Sequence, residues 1–78
     1  MRTMAKQIKA TKLDVLEYIK SEGLVEVWQL RDHFGYSEMT VYNKLSRLKK
    51  QGLVINMTEG KWELTEEGFR RLRFYGRE

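Results

Sequence analysis

Asn43 and Arg47 stand one helical turn apart in the run Ser37–Val54, and their side chains match the edges of nucleic-acid bases. An asparagine amide can form a bidentate pair with adenine, and an arginine guanidinium with guanine, each discriminating by roughly 1–3 kcal/mol. Ser37 and Thr40 open the same run with hydroxyls, which suit phosphate oxygens when they sit at a helix N-terminus. Lys44, Lys49 and Lys50 add positive charge. Tyr42 has two readings: contact with a sugar or phosphate, or partial burial beside the first helix. For every one of these side chains the plain alternative is a solvated helix face.

Catalysis has no comparable set of residues. The chain has no cysteine and one histidine, His33. A disulfide framework, a thiolate metal site, a cysteine nucleophile and a multi-histidine metal site are therefore excluded. Glu66-Glu67 is an acid pair, but a helix start explains it. No glycine-rich phosphate loop or nucleophile–base–orienter set is present. The expectation is a non-enzyme with no cofactor and no metal, in which His33 is a structural or surface residue.

The elements that position the base-matching side chains follow from periodicity. Ser37 is a cap residue, Val41, Leu45 and Leu48 recur at i, i+4 and i+7, and Gly52 stops the run. These features predict a helix over about 38–51, with an apolar inner stripe and a polar, cationic outer face. Before it, Thr11 and Asp14 have capping-box spacing and Leu13, Val15, Leu16 and Ile19 are apolar, predicting a helix over about 11–22 that ends at Gly23. Residues 24–26 read as a short strand and 27–34 as a second helix, ended by Gly35. After Gly52, the runs 53–57 and 61–65 flank Thr58-Glu59-Gly60 as a hairpin. Leu53, Ile55 and Met57 are expected to alternate on one face, with Trp62 and Leu64 on the facing strand. Thr65 caps a last helix over about 66–75, with Phe69 and Leu72 as its inward pair and Phe74 or Tyr75 extending that stripe. Trp62 is expected in the core, and Trp28 partly exposed, where it can mark an interface.

Seventy-eight residues allow one small core, and 41% hydrophobic residues suffice to fold it without staples. The reading is a single domain over 11–78, preceded by a basic arm or helix extension over 1–10. The net charge of +4 is unevenly spread. Arg2, Lys6, Lys9 and Lys12 face no acid within residues 1–12, and Lys44, Arg47, Lys49 and Lys50 face only Glu38 within 37–52. Such a distribution fits a polyanionic partner, or a solubilised surface. Lys9 and Lys12 are accordingly candidates for sequence-independent backbone contacts. No apolar run approaches the length of a membrane span, and no signal peptide is evident, so a cytoplasmic, membrane-free protein is expected.

The order helix, strand, helix, turn, helix, hairpin, helix resembles the winged helix-turn-helix family of bacterial and archaeal regulators. The residues that carry the resemblance are Leu30 and Phe34 before Gly35, then Ser37-x-x-Thr40-Val41-x-x-x-Leu45-x-x-Leu48-x-x-x-Gly52-Leu53-Val54, and finally Leu64-Thr65-Glu66-Glu67-Gly68. They span about residues 11–75. The resemblance implies an α+β, mostly α fold: a three-helix core, a short first strand, a two-stranded wing and a C-terminal helix. It further implies a sequence-specific binder of double-stranded DNA, with the recognition helix in the major groove and the wing, about 57–61, near the backbone. By position, Ser37, Met39, Thr40, Tyr42, Asn43 and Arg47 would face DNA, with Lys44 beside them and Lys61 on the wing. The wing departs from the family pattern because Glu59 offsets Lys61. A homodimer on a pseudo-palindrome is expected, with Met4, Ile8, Phe74 and Tyr75 as candidate dimer residues; the effector is unknown. The alternative is a winged helix that docks proteins and does not bind DNA.

Overall fold

Each helix begins where a side chain satisfies the first free amides. In the computed structural model, which describes residues 10–58 and 60–77, α1 is Lys12–Glu22, β1 Val25–Glu26, α2 Val27–Phe34, α3 Glu38–Lys50, β2 Val54–Thr58, β3 Lys61–Leu64 and α4 Glu66–Phe74. The Asp14 carboxylate accepts from the Thr11 amide at 2.7 Å, completing the expected capping box. The Ser37 hydroxyl accepts from the Thr40 amide at 3.1 Å, and the Thr65 hydroxyl from the Gly68 amide at 3.0 Å. The Glu26 amide donates to the Gln29 side chain at 2.9 Å at the start of α2. Gly35, with φ 72°, adopts the left-handed conformation that ends α2 and turns the chain through Tyr36 into the Ser37 cap.

Helix α1 packs on β3 and α4, α2 on α3 and β1, and α3 also on β2. Between them lies one core that includes Leu16, Ile19, Leu30, Val41, Leu45, Leu53 and Leu72. The sheet is antiparallel in the order β1-β3-β2. Val25 pairs with Trp62 and Glu26 with Lys61; on the other side Val54 pairs with Leu64, Ile55 with Glu63 and Asn56 with Trp62. Trp62 is half-buried against the core, whereas Trp28 is 53% exposed and donates to Glu26 Oε1 at 3.1 Å. His33 is a surface residue, stacked on Tyr18 with ring centroids 4.1 Å apart.

Two packing expectations are corrected. Leu53 is buried but precedes the strand: its amide caps α3 by donating to the Leu48 carbonyl at 2.9 Å, and its own carbonyl accepts from the Thr65 amide at 3.1 Å. Pairing therefore starts at Val54, one residue late. Because side chains alternate with period two, Val54 and Asn56 take the face shared with Leu64 and Trp62. Ile55 turns outward, 43% exposed, and Met57, where the register shifts between Asn56 and Thr58, is 49% exposed. In α4 the inward stripe is Gly68 with Leu72, and Phe69 is left 40% exposed. Phe74 and Tyr75 are exposed as well and do not extend that stripe. Gly68 is what permits this rotation, because its missing Cβ lets the helix lie directly on the Leu53 carbonyl.

Gly68→Ala tests that close approach. A Cβ there would run into the Leu53 carbonyl oxygen and come within 2.9 Å of Leu64 Cδ2. Alanine normally stabilises a helix relative to glycine by about 1 kcal/mol. Here overpacking outweighs that gain, and urea denaturation is expected to show a net loss of about 1–3 kcal/mol. A second test concerns Asp14, whose carboxyl is held below the ordinary carboxylate range by the Thr11 amide, with Arg77 adding a further hydrogen bond and burial opposing. A depressed folded-state pKa contributes stability that is present above the unfolded value and lost as pH falls through the folded one. Asp14→Asn should thus be less stable than the parent at neutral pH. The two melting curves should converge as pH drops below about 4.

Candidate nucleic-acid interface

The inner stripe of α3 settles which side chains can reach a ligand. Val41, Leu45 and Leu48 are all at most 3% exposed, so the opposite face turns outward along the whole helix. Met39 is 72% exposed and Tyr42 50%. Asn43, Arg47, Lys49 and Lys50 are exposed, and Thr40 and Lys44 are half-buried. Ser37 is exposed, and its hydroxyl donates to Thr40 Oγ1 at 2.9 Å while accepting from the Thr40 amide. This pair of bonds holds both hydroxyls at the positive end of the helix dipole.

Three of the expected cations converge. Lys12, from the first turn of α1, lies with Lys44, Arg47 and Gln51 around a crevice of about 200 Å³ floored by Val15 and Leu48. Lys12 Nζ donates to Gln51 Oε1 at 3.0 Å, tying the start of α1 to the end of α3. Among the described residues no acid lines this crevice. Lys44 Nζ sits 5.1 Å from the centre of the Tyr36 ring, a cation–π distance. Tyr36 is in turn stacked on Phe34 with centroids 5.4 Å apart. Burial, and secondarily the charge of Asp14, push the Tyr36 hydroxyl above its usual pKa, so it remains a neutral support for the cation.

Other residues fall elsewhere. Lys61 stands in β3 with its Nζ 3.0 Å from Glu26 Oε2, and that bond with Lys61 holds the Glu26 carboxyl below its ordinary range. The described part of the wing thus presents its lysine already paired. Lys9 and Glu59 lie outside the described residues, as do Met4 and Ile8. Glu38, the acid at the start of α3, faces Arg31 of α2 at 3.9 Å, which tempers its charge next to the outward side chains of α3. Arg31, Tyr36 and Gln51 are the positioning residues that sequence reasoning missed. An aromatic two residues after Phe34 and a glutamine one turn after Arg47 were the available signals. Only the folded arrangement brings Tyr36 under Lys44 and Gln51 to Lys12.

Three helices with a Gly35-Tyr36-Ser37 turn between the second and third, closed by a β-hairpin and a C-terminal helix, form a winged helix-turn-helix domain. The chain belongs to the DeoR-like helix-turn-helix domain family, whose model matches residues 13–67. That is a winged-helix DNA-binding family typical of bacterial transcriptional regulators, not an enzyme family. The chain is also similar to Lhr helicase/uracil glycosylase of Escherichia coli (strain K12), 38% identical over 58 residues. The match covers 74% of this chain and 4% of that protein. No solved structure gives a significant match. Among the described residues, no helix is long and apolar enough to cross a membrane, and no group of His, Cys, Asp or Glu is placed to hold a metal ion.

The division of α3 into a holding face and a presenting face has a measurable consequence. Ser37→Ala removes a cap and is expected to cost about 1 kcal/mol of stability. Asn43→Ala and Arg47→Ala change exposed positions and should stay within about 0.5 kcal/mol of the parent in the same denaturation assay.

Proposed function

We propose that this chain is a sequence-specific double-stranded DNA-binding protein that regulates transcription in the cytoplasm. In this reading residues 11–78 act as one domain, and α3 enters the major groove. The observation that carries the reading is the outward face of α3, where Met39, Asn43 and Arg47 are presented by a helix whose opposite side is fully buried. Asn43 and Arg47 read bases, while Ser37, Thr40 and Tyr42 meet the sugar-phosphate backbone. Lys12 and Lys44, brought together beside Arg47 from two helices, anchor the phosphates flanking the groove. The wing makes a lesser contribution, because Lys61 is held by Glu26. Two copies bind a pseudo-palindrome, with half-sites about one helical turn apart. The family membership supports DNA binding in general. The helicase relative matches over only 4% of its length, so neither activity in its name is transferred.

A protein-docking winged helix is the second reading, and exposed Trp28 beside the neutralised wing is the observation in its favour. Selection of bound sequences from a random duplex pool, followed by titration at several salt concentrations, separates the two. The DNA reading predicts a selected half-site and an affinity that falls steeply with salt. Arg47→Ala should raise Kd on the selected site by about tenfold, and by much less on random duplex. Lys12→Ala should weaken both to the same extent. Absence of binding to any duplex at low salt would leave only the docking reading.

A further inference from the structure

Lys12 borders two crevices. Beyond the one it shares with Lys44 and Arg47, it lines a second, of about 360 Å³, together with Thr11, Leu13, Arg71, Tyr75 and Arg77. Here the first turn of α1 meets the end of α4. The Lys12 ammonium has three donors, of which one goes to Gln51 at 3.0 Å. Arg71 is half-buried, and among the described residues it has no acidic partner. Arg77, by contrast, is engaged by Asp14 and by Glu17, the latter at 3.0 Å. That clamp covers the two acids of the adjoining turns of α1, and among the described residues no acid lines either crevice. Lys12 and Arg71 are therefore the charges left for a ligand, with Leu13 and Tyr75 as apolar walls.

We infer that this second crevice is a further DNA-backbone contact, in which Lys12 and Arg71 hold phosphates of the strand that Lys44 engages. The footprint then runs from α3 across the start of α1 onto α4. This rests on the DNA reading above and extends it to a helix and an arginine that the reading does not use. Continuity selects the occupant. Because Lys12 lines both crevices, the cations of α3, α1 and α4 form one series: Arg47 and Lys44, then Lys12, then Arg71. A ligand with a single charge would use one crevice, whereas a strand presents a charge every ~3.4 Å along the duplex axis and occupies both. The planar guanidinium of Arg71 suits two phosphate oxygens at once. The residues before Ala10 are a poor occupant, since they include Arg2, Lys6 and Lys9 and no acid, and like charges repel. An apolar partner would bury Arg71 without a counter-charge, which is costly. The wing offers no equivalent, because its described lysine is held by Glu26. The domain therefore grips the backbone on its α1–α4 side.

The test is a salt titration on the selected duplex and on random duplex, repeated with selected duplexes in which single phosphates are replaced by neutral methylphosphonates. Each phosphate contact contributes about 0.9 to the slope of log K against log salt. Arg71→Gln should lower that slope by about 0.9 per bound chain and weaken both duplexes equally, by about threefold to tenfold. Arg71→Lys keeps the charge and should keep the slope. Lys20→Gln removes the same charge from the last turn of α1, away from both crevices, and should leave the slope unchanged, which separates contact from net charge. In the methylphosphonate series, neutralising one phosphate should weaken the parent and leave Arg71→Gln unaffected, marking the phosphate that Arg71 holds. An Arg71→Gln slope equal to the parent's overturns the inference and leaves the α3 reading standing. So does a series in which every replacement that weakens the parent weakens the variant equally. Absence of binding to any duplex at low salt removes the α3 reading, and this contact with it.

Discussion

The end of α3, the wing and α4 meet at the carbonyl of Leu53. The chain leaves α3 through Gly52, whose φ of 75° allows the Leu53 amide to reach back to Leu48. The Leu53 carbonyl then accepts from the Thr65 amide, and the Thr65 hydroxyl donates to the Gly52 carbonyl at 2.5 Å while capping α4. Gly68 seats α4 against the same carbonyl. The end of α3, the start of β2, the end of β3 and the start of α4 are thus joined at one point. This is why the two motifs, Leu48-x-x-x-Gly52-Leu53-Val54 and Leu64-Thr65-x-x-Gly68, occur together. Each supplies half of one joint.

That joint constrains function through rigidity. An exposed helix can read a surface only if its rotation about its own axis is fixed, because about 100° separates neighbouring side chains. The buried Val41, Leu45 and Leu48 set the rotation, and the Leu53 joint holds the C-terminal end. The N-terminal end is held by Ser37, with Tyr36 under Lys44. The charges are distributed on the same principle. Glu26 pairs with Lys61 on the sheet and Glu67 with Arg70 on α4, whereas Lys12, Lys44 and Arg47 meet in a crevice that no acid among the described residues lines. Among the described residues, the crevice beside α3 therefore gathers three cations while the wing lysine is paired.

The helices and their ends were legible because they rest on contacts within one turn of chain. Thr11 with Asp14, Ser37 with Thr40 and Thr65 with Gly68 are all three residues apart, and each cap lies where the residue types indicate. The apolar stripe of α3 was equally plain, since its period alone specifies the face. The errors lie where period does not decide. Leu53, Ile55 and Met57 alternate perfectly, yet the joint at Leu53 delays pairing by one residue and reverses which side chains face in. Phe69 was expected in the core because it is large and apolar; Gly68 took the inward position because it is small.

The sequence by itself therefore determined the element order, the caps and the outward face of α3, since short-range hydrogen bonding and helical periodicity are sufficient for these. Tertiary structure decided the register of the wing, the outward turn of Phe69 and which cations remain available near α3. Those outcomes hang on pairs far apart in the chain: Lys61 with Glu26 at a separation of 35 residues, Lys12 with Gln51 at 39. No local pattern encodes such pairs, because their geometry exists only after the core has closed.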